Sequence, residues 1–265
     1  MMQEKLFKED IKMGLLDDIG PAPRKVMTLF YMVDASGSMT GEKIGKVNAA
    51  MEECIPLLKE VAQANDDAEI KVAIMQFSSG CSWVTPASGP VGLDDIIWND
   101  LQAGGMTEFG GALVELDKKL SRNEYLQSQT GAYAPVILLL SDGGPTDNWE
   151  VGLNKIKQNN WFKHAIKIAI DIQIEGSMSD RTVLTQFTGN PEAILDAKDT
   201  ATLKKMIHKV SVRASEFQSH SKQSADIITS PEEDAADIVA SVVNDVAQDT
   251  TTPVTSDDND WGSWD

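Results

Sequence analysis

The chain has 265 residues, of which 42% are apolar, and its formal net charge at pH 7 is −18. This length and composition fit one large α/β domain with terminal extensions, and so acidic a chain is not expected to bind nucleic acid or an anionic membrane. The sequence shows neither a signal peptide nor a membrane-spanning run, so we expect a cytoplasmic protein. Its two cysteines, Cys54 and Cys81, are expected to be free thiols that are buried or half-buried.

The chain opens with a lead-in, residues 1–23, for which we expect a short helix docked on the domain or a frayed end. The apolar run over 25–33 is too short to span a bilayer, and its β-branched and aromatic residues suit a strand buried on both faces. Residues 42–65 then carry apolar side chains at helical spacing, with Pro56 predicting a kink or a break. The turn between the strand and the helix therefore lies where open α/β sheets bind ligands.

That turn carries Asp34, Ser36 and Ser38. A carboxylate and two hydroxyls are hard oxygen ligands of the kind that Mg²⁺ or Mn²⁺ prefers. No His or Cys lies close in the sequence, which argues against zinc. A simple helix-capping turn would use the same residue types, so this stretch alone leaves both interpretations open.

The middle of the chain predicts two more strands and a glycine-rich loop. Residues 69–77 predict a second strand, and 81–86 a short antiparallel edge strand. The loop over 104–111 lacks the Gly-Lys-Ser/Thr ending of a phosphate-binding loop. An alternative use of its glycines is to bring Thr107 close to another segment as a third hydroxyl ligand.

A second buried strand, over 135–141, is followed by Asp142, which therefore stands at the carboxyl end of another parallel strand. Asp34 and Asp142 are then expected to point into one crevice. Because neither motif contains a basic residue between these acids, we expect a cation to balance them.

The predicted domain ends with a helix over 149–162, a strand over 165–174 and a helix over 200–214. The last helix has one apolar face and one basic face. The basic face carries Lys204, Lys205, His208, Lys209 and Arg213. These side chains are expected either to face solvent or to form a docking stripe for an acidic segment.

Residues 216–265 form an acidic tail with 12 acids and one lysine, a net charge of −11. The Ser-Pro-Glu-Glu sequence at 230–233 is typical of a helix start, and an amphipathic helix is predicted near 231–247. Its β-branched residues are poor helix formers, so this helix needs a surface to pack on. The Thr/Ser/Asp-rich sequence that follows is expected to be disordered. Its acidic end, 257–265, contains two tryptophans, and three interpretations stay open: plain disorder, folding back onto the metal site, or docking on another protein.

Taken together, these positions resemble the metal-ion-dependent adhesion site of von Willebrand factor A domains. Order, spacing and strand context fit for the five residues Asp34, Ser36, Ser38, Thr107 and Asp142. The resemblance covers 24–215 and implies a doubly wound, mostly parallel α/β sheet with helices on both faces and one antiparallel edge strand. It implies that the three hydroxyls ligate Mg²⁺ directly, the threonine in the high-affinity state, and that the two acids hold the ion through water.

The resemblance implies a metal-dependent protein-interaction module. Mostly neutral direct ligands leave the ion much of its charge and an open position, which an acidic residue of a protein partner, or the chain's own acidic tail, can fill. The segments GLLDDIG and LLLSDGGPTD and the overall length also look similar to a bacterial TerY-like group. That group is linked to tellurite resistance and stress response, and its gene clusters imply a kinase or a phosphatase as possible partners.

Two other classes of function stay open as alternatives. The less expected one is an enzyme, a metal-dependent hydrolase. A phosphoaspartyl transferase would need a second acid near Asp34, and a serine hydrolase would need a Gly-x-Ser-x-Gly elbow with a paired histidine. The other alternative is a structural subunit of a chelatase-type ATPase complex.

Overall fold

The structure, a computed structural model, describes residues 24–66, 68–173, 181–220 and 230–251. The predicted lead-in at 1–23 and the acidic end at 257–265 lie outside the described residues. In chain order the strands and helices are β1 (Lys25–Asp34), α1 (Glu42–Ala64), β2 (Ala68–Ser78), β3 (Gly80–Trp83), β4 (Val91–Gly92), α2 (Phe109–Lys119), β5 (Val136–Ser141), α3 (Trp149–Ile156), α4 (Asn160–His164), β6 (Ile166–Ile172), α5 (Arg181–Thr188), β7 (Ile194–Ala197), α6 (Thr200–His220) and α7 (Pro231–Thr251).

The strands of the described residues form one sheet in the order β3-β2-β1-β5-β6-β7, with β4 paired to β2 beside this path. The pairs from β2 through β1, β5 and β6 to β7 are parallel. β3 runs antiparallel to β2 at the edge, as predicted, and the two-residue β4 is antiparallel to β2 as well. The predicted doubly wound, mostly parallel α/β fold is therefore confirmed. Because the chain winds outward from β1 in one direction and from β5 in the other, the topological switch point lies between β1 and β5.

Both faces of the sheet are covered, which is why β1 is a nearly continuous apolar run. Successive side chains of β1 point to opposite faces, so Tyr31 and Val33 enter one apolar core while Phe30 and Met32 enter the other. Helices α1, α6 and α7 cover the first face, and α2, α3, α4 and α5 cover the second. This arrangement holds the carboxyl ends of β1 and β5 rigidly side by side.

Several details of the predicted helices differ from the structure: α6 ends at His220 and α7 at Thr251, beyond the predicted ends at 214 and 247. α1 continues through Pro56 without a break. The single helix predicted over 149–162 is two helices, α3 and α4. Asn159 separates them because its backbone is extended and its side-chain oxygen accepts a hydrogen bond from the Trp161 N–H, which caps the start of α4.

α7 starts with the predicted capping box, in which Ser230 and Glu233 exchange side-chain and backbone hydrogen bonds at 3.2 and 3.0 Å. Glu232 also lies 3.4 Å from the buried Lys167 ammonium of β6, whose pKa is lowered, chiefly because burial disfavours its charge. The apolar stripe of α7 (Ala235, Ile238, Val239 and Val242) is buried in the same core as α1 and α6. The surface that this stripe requires is therefore the domain itself.

Part of the basic face of α6 lies against neighbouring helices. Lys204 pairs with Glu53 of α1 at 2.5 Å. Lys209 and Arg213 reach Asp245 of α7 at 3.9 and 3.2 Å. An acidic residue of the C-terminal helix thus docks on this face.

His208 also lies on α6, and its pKa is lowered from 6.5. Burial is the largest cause, and the charges of Lys209 and Lys204 act in the same direction, while Glu60 opposes them. The histidine is therefore easier to protonate in the unfolded chain than in the folded one.

Both cysteines are free thiols, as expected. Cys54 is buried on α1, which raises its pKa to about 12, and Cys81 is half-buried on β3. Among the described residues, no helix combines the length and the apolar character needed to cross a bilayer.

Candidate metal site

Asp34 ends β1 and is fully buried. One carboxylate oxygen accepts the Ser36 N–H at 2.9 Å, and the other accepts the Ser141 hydroxyl at 2.6 Å. The β1–β5 register, which pairs Val33 with Leu140, places Ser141 beside Asp34. Burial raises the pKa of Asp34, the hydrogen bonds from Ser141 and Ser36 oppose that shift, and the charge of Asp142 adds to it.

Ser36 and Ser38 lie on the turn that follows, where Gly37–Met39 forms a single 3₁₀ turn anchored by the buried Met39. Ser36 is buried and Ser38 is exposed, and their hydroxyl oxygens are 3.1 Å apart. Ser38 donates its hydroxyl proton to Asp142 at 3.0 Å. Since that proton points at the acid, Ser36 is the donor in the 3.1 Å contact, and the Ser38 oxygen keeps one lone pair for a cation.

Asp142, directly after β5, is buried and carries a partner that the sequence reasoning missed. The ammonium of Lys43, which lies in the first turn of α1, sits 2.5 Å from its second carboxylate oxygen, and both side chains are buried. We expected a cation to balance the two acids because neither motif contains a basic residue; the structure places a basic side chain from outside both motifs against Asp142. α1 begins at the same edge of the sheet at which β1 and β5 end, so its first turn reaches Asp142.

The glycine-rich loop is fastened to the β1–α1 turn by backbone hydrogen bonds. The Gly104 N–H donates to the Ala35 carbonyl at 2.9 Å, and the Gly37 N–H donates to the Gly105 carbonyl at 3.1 Å. Gly105 has a φ of 80°, and a Cβ at this position would lie 2.6 Å from the Ser79 hydroxyl. Glycine is therefore required for the loop to lie this close to its neighbours.

Thr107 lies in this loop and is buried. Its N–H donates to the Thr146 hydroxyl at 2.9 Å, and its carbonyl accepts the Thr146 N–H at 2.9 Å. These contacts use backbone atoms of Thr107, and they tie the glycine-rich loop to the segment that follows β5. The structure thus brings four predicted site residues into one hydrogen-bonded chain (Asp34, Ser36, Ser38 and Asp142) and places the fifth, Thr107, on a loop fastened to both segments.

The donor atoms fit a small hard cation. Oxygen ligands at about 2.1 Å from Mg²⁺ place neighbouring corners of an octahedron about 3.0 Å apart, and the Ser36 and Ser38 hydroxyls are separated by 3.1 Å. No group of three His, Cys, Asp or Glu side chains that could hold a metal occurs within the described ranges. A metal at this edge would therefore depend on hydroxyl oxygens, which suits Mg²⁺ or Mn²⁺.

A doubly wound sheet with hydroxyl and carboxylate oxygens gathered at its switch point defines the class: an α/β domain with a polar crevice at the carboxyl ends of its central strands. The family model of the von Willebrand factor type A domain matches residues 29–209, most of the chain. The chain belongs to the von Willebrand factor type A domain family.

Solved structures with a similar fold include adhesion and matrix proteins. The pilus adhesin SpaC from Lactobacillus rhamnosus GG, in its open conformation, is 14% identical with a TM-score of 0.55, and the match covers 74% of this chain and 31% of that one. A von Willebrand factor type A protein from Catenulispora acidiphila is 16% identical with a TM-score of 0.51, covering 73% and 43%.

Proximal thread matrix protein 1 from the mussel byssus, whose metal-ion-dependent adhesion motif is occupied by zinc, is 18% identical with a TM-score of 0.51, covering 72% and 48%. At identities this low, the similarity shows a shared fold alone. The chain spans between 31% and 48% of the length of these three proteins. No curated protein matches the sequence.

Proposed function

We propose that this domain is a metal-dependent protein-interaction module. In it, Ser36, Ser38 and Thr107 bind Mg²⁺ or Mn²⁺ directly, and Asp34 and Asp142 support the ion through water. The observation that carries the proposal is the pair of serine hydroxyls at 3.1 Å, one of them oriented by Asp142. The zinc-occupied adhesion motif of the mussel thread protein supports it, since the two proteins share the fold.

The chemistry of the site favours an acidic partner. Neutral hydroxyl ligands withdraw little of the ion's charge, and an octahedral ion that keeps waters has a position to exchange. A carboxylate of a partner protein can take that position. A chain of net charge −18 would then present one local positive point to an acidic residue.

The chain's own acidic tail is a second source of that carboxylate. The sequence beyond α7 contains Asp257, Asp258, Asp260 and Asp265. A tethered carboxylate has an effective concentration of about millimolar, so a weak contact could compete with a partner in trans. A chain shortened to residue 251 is then expected to bind its partner more tightly in Mg²⁺ and equally in EDTA. Loss of the partner on shortening would instead identify the tail as the docking segment.

The metal site is tested by calorimetry of the full chain with Mn²⁺ alone. Ser36→Ala removes a direct ligand and is expected to weaken Mn²⁺ binding by about tenfold or more, which is about 1.4 kcal/mol. Ser82→Ala, an exposed serine on the edge strand β3, is the matched control and is expected to bind like the wild type. Equal Mn²⁺ affinity in both variants would refute the assignment of Ser36.

Asp34→Ala is expected to abolish metal-dependent partner binding. The fold is expected to remain, because the loss of the hydrogen bonds from Ser36 and Ser141 costs only part of the stability of the domain. Far-UV circular dichroism checks the fold, and affinity capture with Mg²⁺ or with EDTA checks the binding. Capture that is equally strong with the variant would contradict the proposed role of Asp34.

The domain is further proposed to act without catalysis, in the cytoplasm. Its place in a bacterial tellurite-resistance or stress-response system, with a kinase or phosphatase as partner, is proposed from the resemblance of two sequence segments. Turnover of a phosphoester or peptide by pure protein that vanishes in Ser36→Ala would overturn the non-catalytic assignment.

A further inference from the structure

Lys43 stands out among the basic side chains of the domain because its ammonium is buried against a residue of the candidate metal site. Its nitrogen lies 2.5 Å from one oxygen of Asp142, and its side chain is 10% exposed. The other oxygen of the same carboxylate accepts the Ser38 hydroxyl at 3.0 Å. One carboxylate therefore holds both a predicted ligand of the divalent ion and a fixed positive charge.

A fixed cation in this position acts on a divalent ion in two ways. It occupies part of the negative charge that attracts the ion, and it repels the ion directly, since the interaction of like charges falls only with the first power of distance. Burial makes both effects stronger, because solvent and salt screen a buried charge poorly.

We propose that Lys43 is a built-in competitor of the divalent ion and that it sets the metal affinity of the site. This inference rests on the proposed metal-binding function. The carboxylates of Asp34 and Asp142 and the ammonium of Lys43 together carry one net negative charge. A divalent ion turns that sum into one net positive charge, whereas without the lysine the loaded site would be neutral.

The consequence is a trade-off between the affinity of the site for the metal and its affinity for the acidic partner. Lys43 weakens the hold of the site on the metal, and it leaves the loaded site with a positive charge that a partner's carboxylate can neutralise. Such a site binds its ion loosely and its acidic partner strongly, so the partner contributes to holding the ion in place.

Lys46 provides a matched control on the same helix. Its side chain is also 10% exposed, and its ammonium donates to the Lys198 carbonyl at 2.7 Å and pairs with the exposed Glu42 at 2.7 Å. It thus has the same chemistry, helix and burial as Lys43, but Glu42 and Lys198 do not belong to the candidate metal site. A general effect of losing a buried lysine from α1 would appear in both positions.

The experiment measures the affinity of the full chain for Mn²⁺ and for Mg²⁺ alone, by calorimetry, in wild type, Lys43→Met and Lys46→Met. Lys43→Met is expected to bind Mn²⁺ about tenfold more tightly than the wild type, and Lys46→Met within about threefold of it. Thermal unfolding supplies a second readout: Mn²⁺ is expected to raise the melting temperature of Lys43→Met by more than that of the wild type, because the tighter complex is stabilised further.

Lys43→Gln, which keeps a polar side chain and removes the charge, covers the case in which the methionine variant does not fold. In an Asp142→Asn background, removal of the Lys43 charge is expected to have a much smaller effect, since a double-mutant cycle isolates the coupling between the two residues.

The possible outcomes separate the two proposals. If the wild type binds Mn²⁺ and the Lys43 variants bind it equally or more weakly, competition by Lys43 is wrong and the metal site stands. If neither the wild type nor any Lys43 variant binds Mn²⁺ or Mg²⁺, both proposals are wrong. Equal tightening in Lys43→Met and Lys46→Met would show a nonspecific charge effect and would overturn the assignment to Lys43.

Discussion

The packing of α7 on the domain leads to a sharp prediction about two adjacent valines. Val242 is fully buried in the core formed with α1 and α6, whereas Val243 is 49% exposed. Val242→Ala removes two buried carbons, worth about 0.8 kcal/mol each, and leaves a small cavity that adds about 1 kcal/mol. Alanine is the better helix former by about 0.6 kcal/mol. The sum is a destabilisation of about 2 kcal/mol.

The same substitution at Val243 is expected to have the opposite sign. Little apolar area is lost there, so the gain in helix propensity of about 0.5 kcal/mol remains. For a domain of this size, about 2 kcal/mol corresponds to a fall in melting temperature of roughly 4–8 °C. Urea unfolding followed by circular dichroism measures the free energy of unfolding of both variants, and the slope of each transition checks that the same structure unfolds.

The reasoning is refuted if Val242→Ala and Val243→Ala change the free energy of unfolding equally. That result would mean that α7 does not pack on the domain and contributes nothing to the stability of the core. The question is informative because the family match ends at residue 209, so α7 lies wholly outside the matched segment although its stripe is buried with the domain core.

Two further predictions concern the site loop and pH. Gly37→Ala is expected to weaken Mn²⁺ binding without unfolding the domain, because the added Cβ would lie 3.0 Å from the Gly105 carbonyl and push the glycine-rich loop away. Gly45→Ala on α1 is the control, because nothing lies within 4 Å of the added Cβ there; it is expected to stabilise the helix by about 0.5–1 kcal/mol. The pKa of His208 is lowered, so its contribution to stability is fully present above its ordinary pKa of 6.5 and is lost as the pH falls from there through the folded-state pKa. In His208→Gln the free energy of unfolding is therefore expected to depend less steeply on pH in that range. An unchanged pH profile would show that another group dominates it.

The centre of the sheet could be predicted from sequence because β1 and β5 are buried almost throughout. The run that became β1 is apolar except for Thr28, the run that became β5 is apolar without interruption, and both end abruptly in polar residues. The break between α3 and α4 was harder to predict, because it depends on the chemistry of a single turn. Asn159 lies inside an otherwise helical pattern, and only its role as a cap, visible once its partners are known, divides α3 from α4.

The candidate site was predictable to the extent that it depends on strand ends. Asp34 and Asp142 could be brought together from sequence because the carboxyl ends of parallel strands share one edge. Lys43 could not, since a lysine in the first turn of a helix usually extends into solvent and its partner lies 99 residues away. The only signal in the sequence is its position directly after the strand-to-helix turn, on the side of α1 that the helix register turns inward.

Lys43 affects how tightly this acidic chain is expected to hold a divalent ion at the proposed site. A net charge of −18 would draw divalent ions to many places on the surface, and two buried acids alone would bind one tightly. The hydrogen bonds to Asp34 and the ion pair of Asp142 satisfy both carboxylates without a metal. In the proposed module the ion is therefore not the sole partner of either carboxylate, and part of its binding free energy remains available for the partner. A module built in this way can release its metal and its partner together, which a structural metal site cannot do.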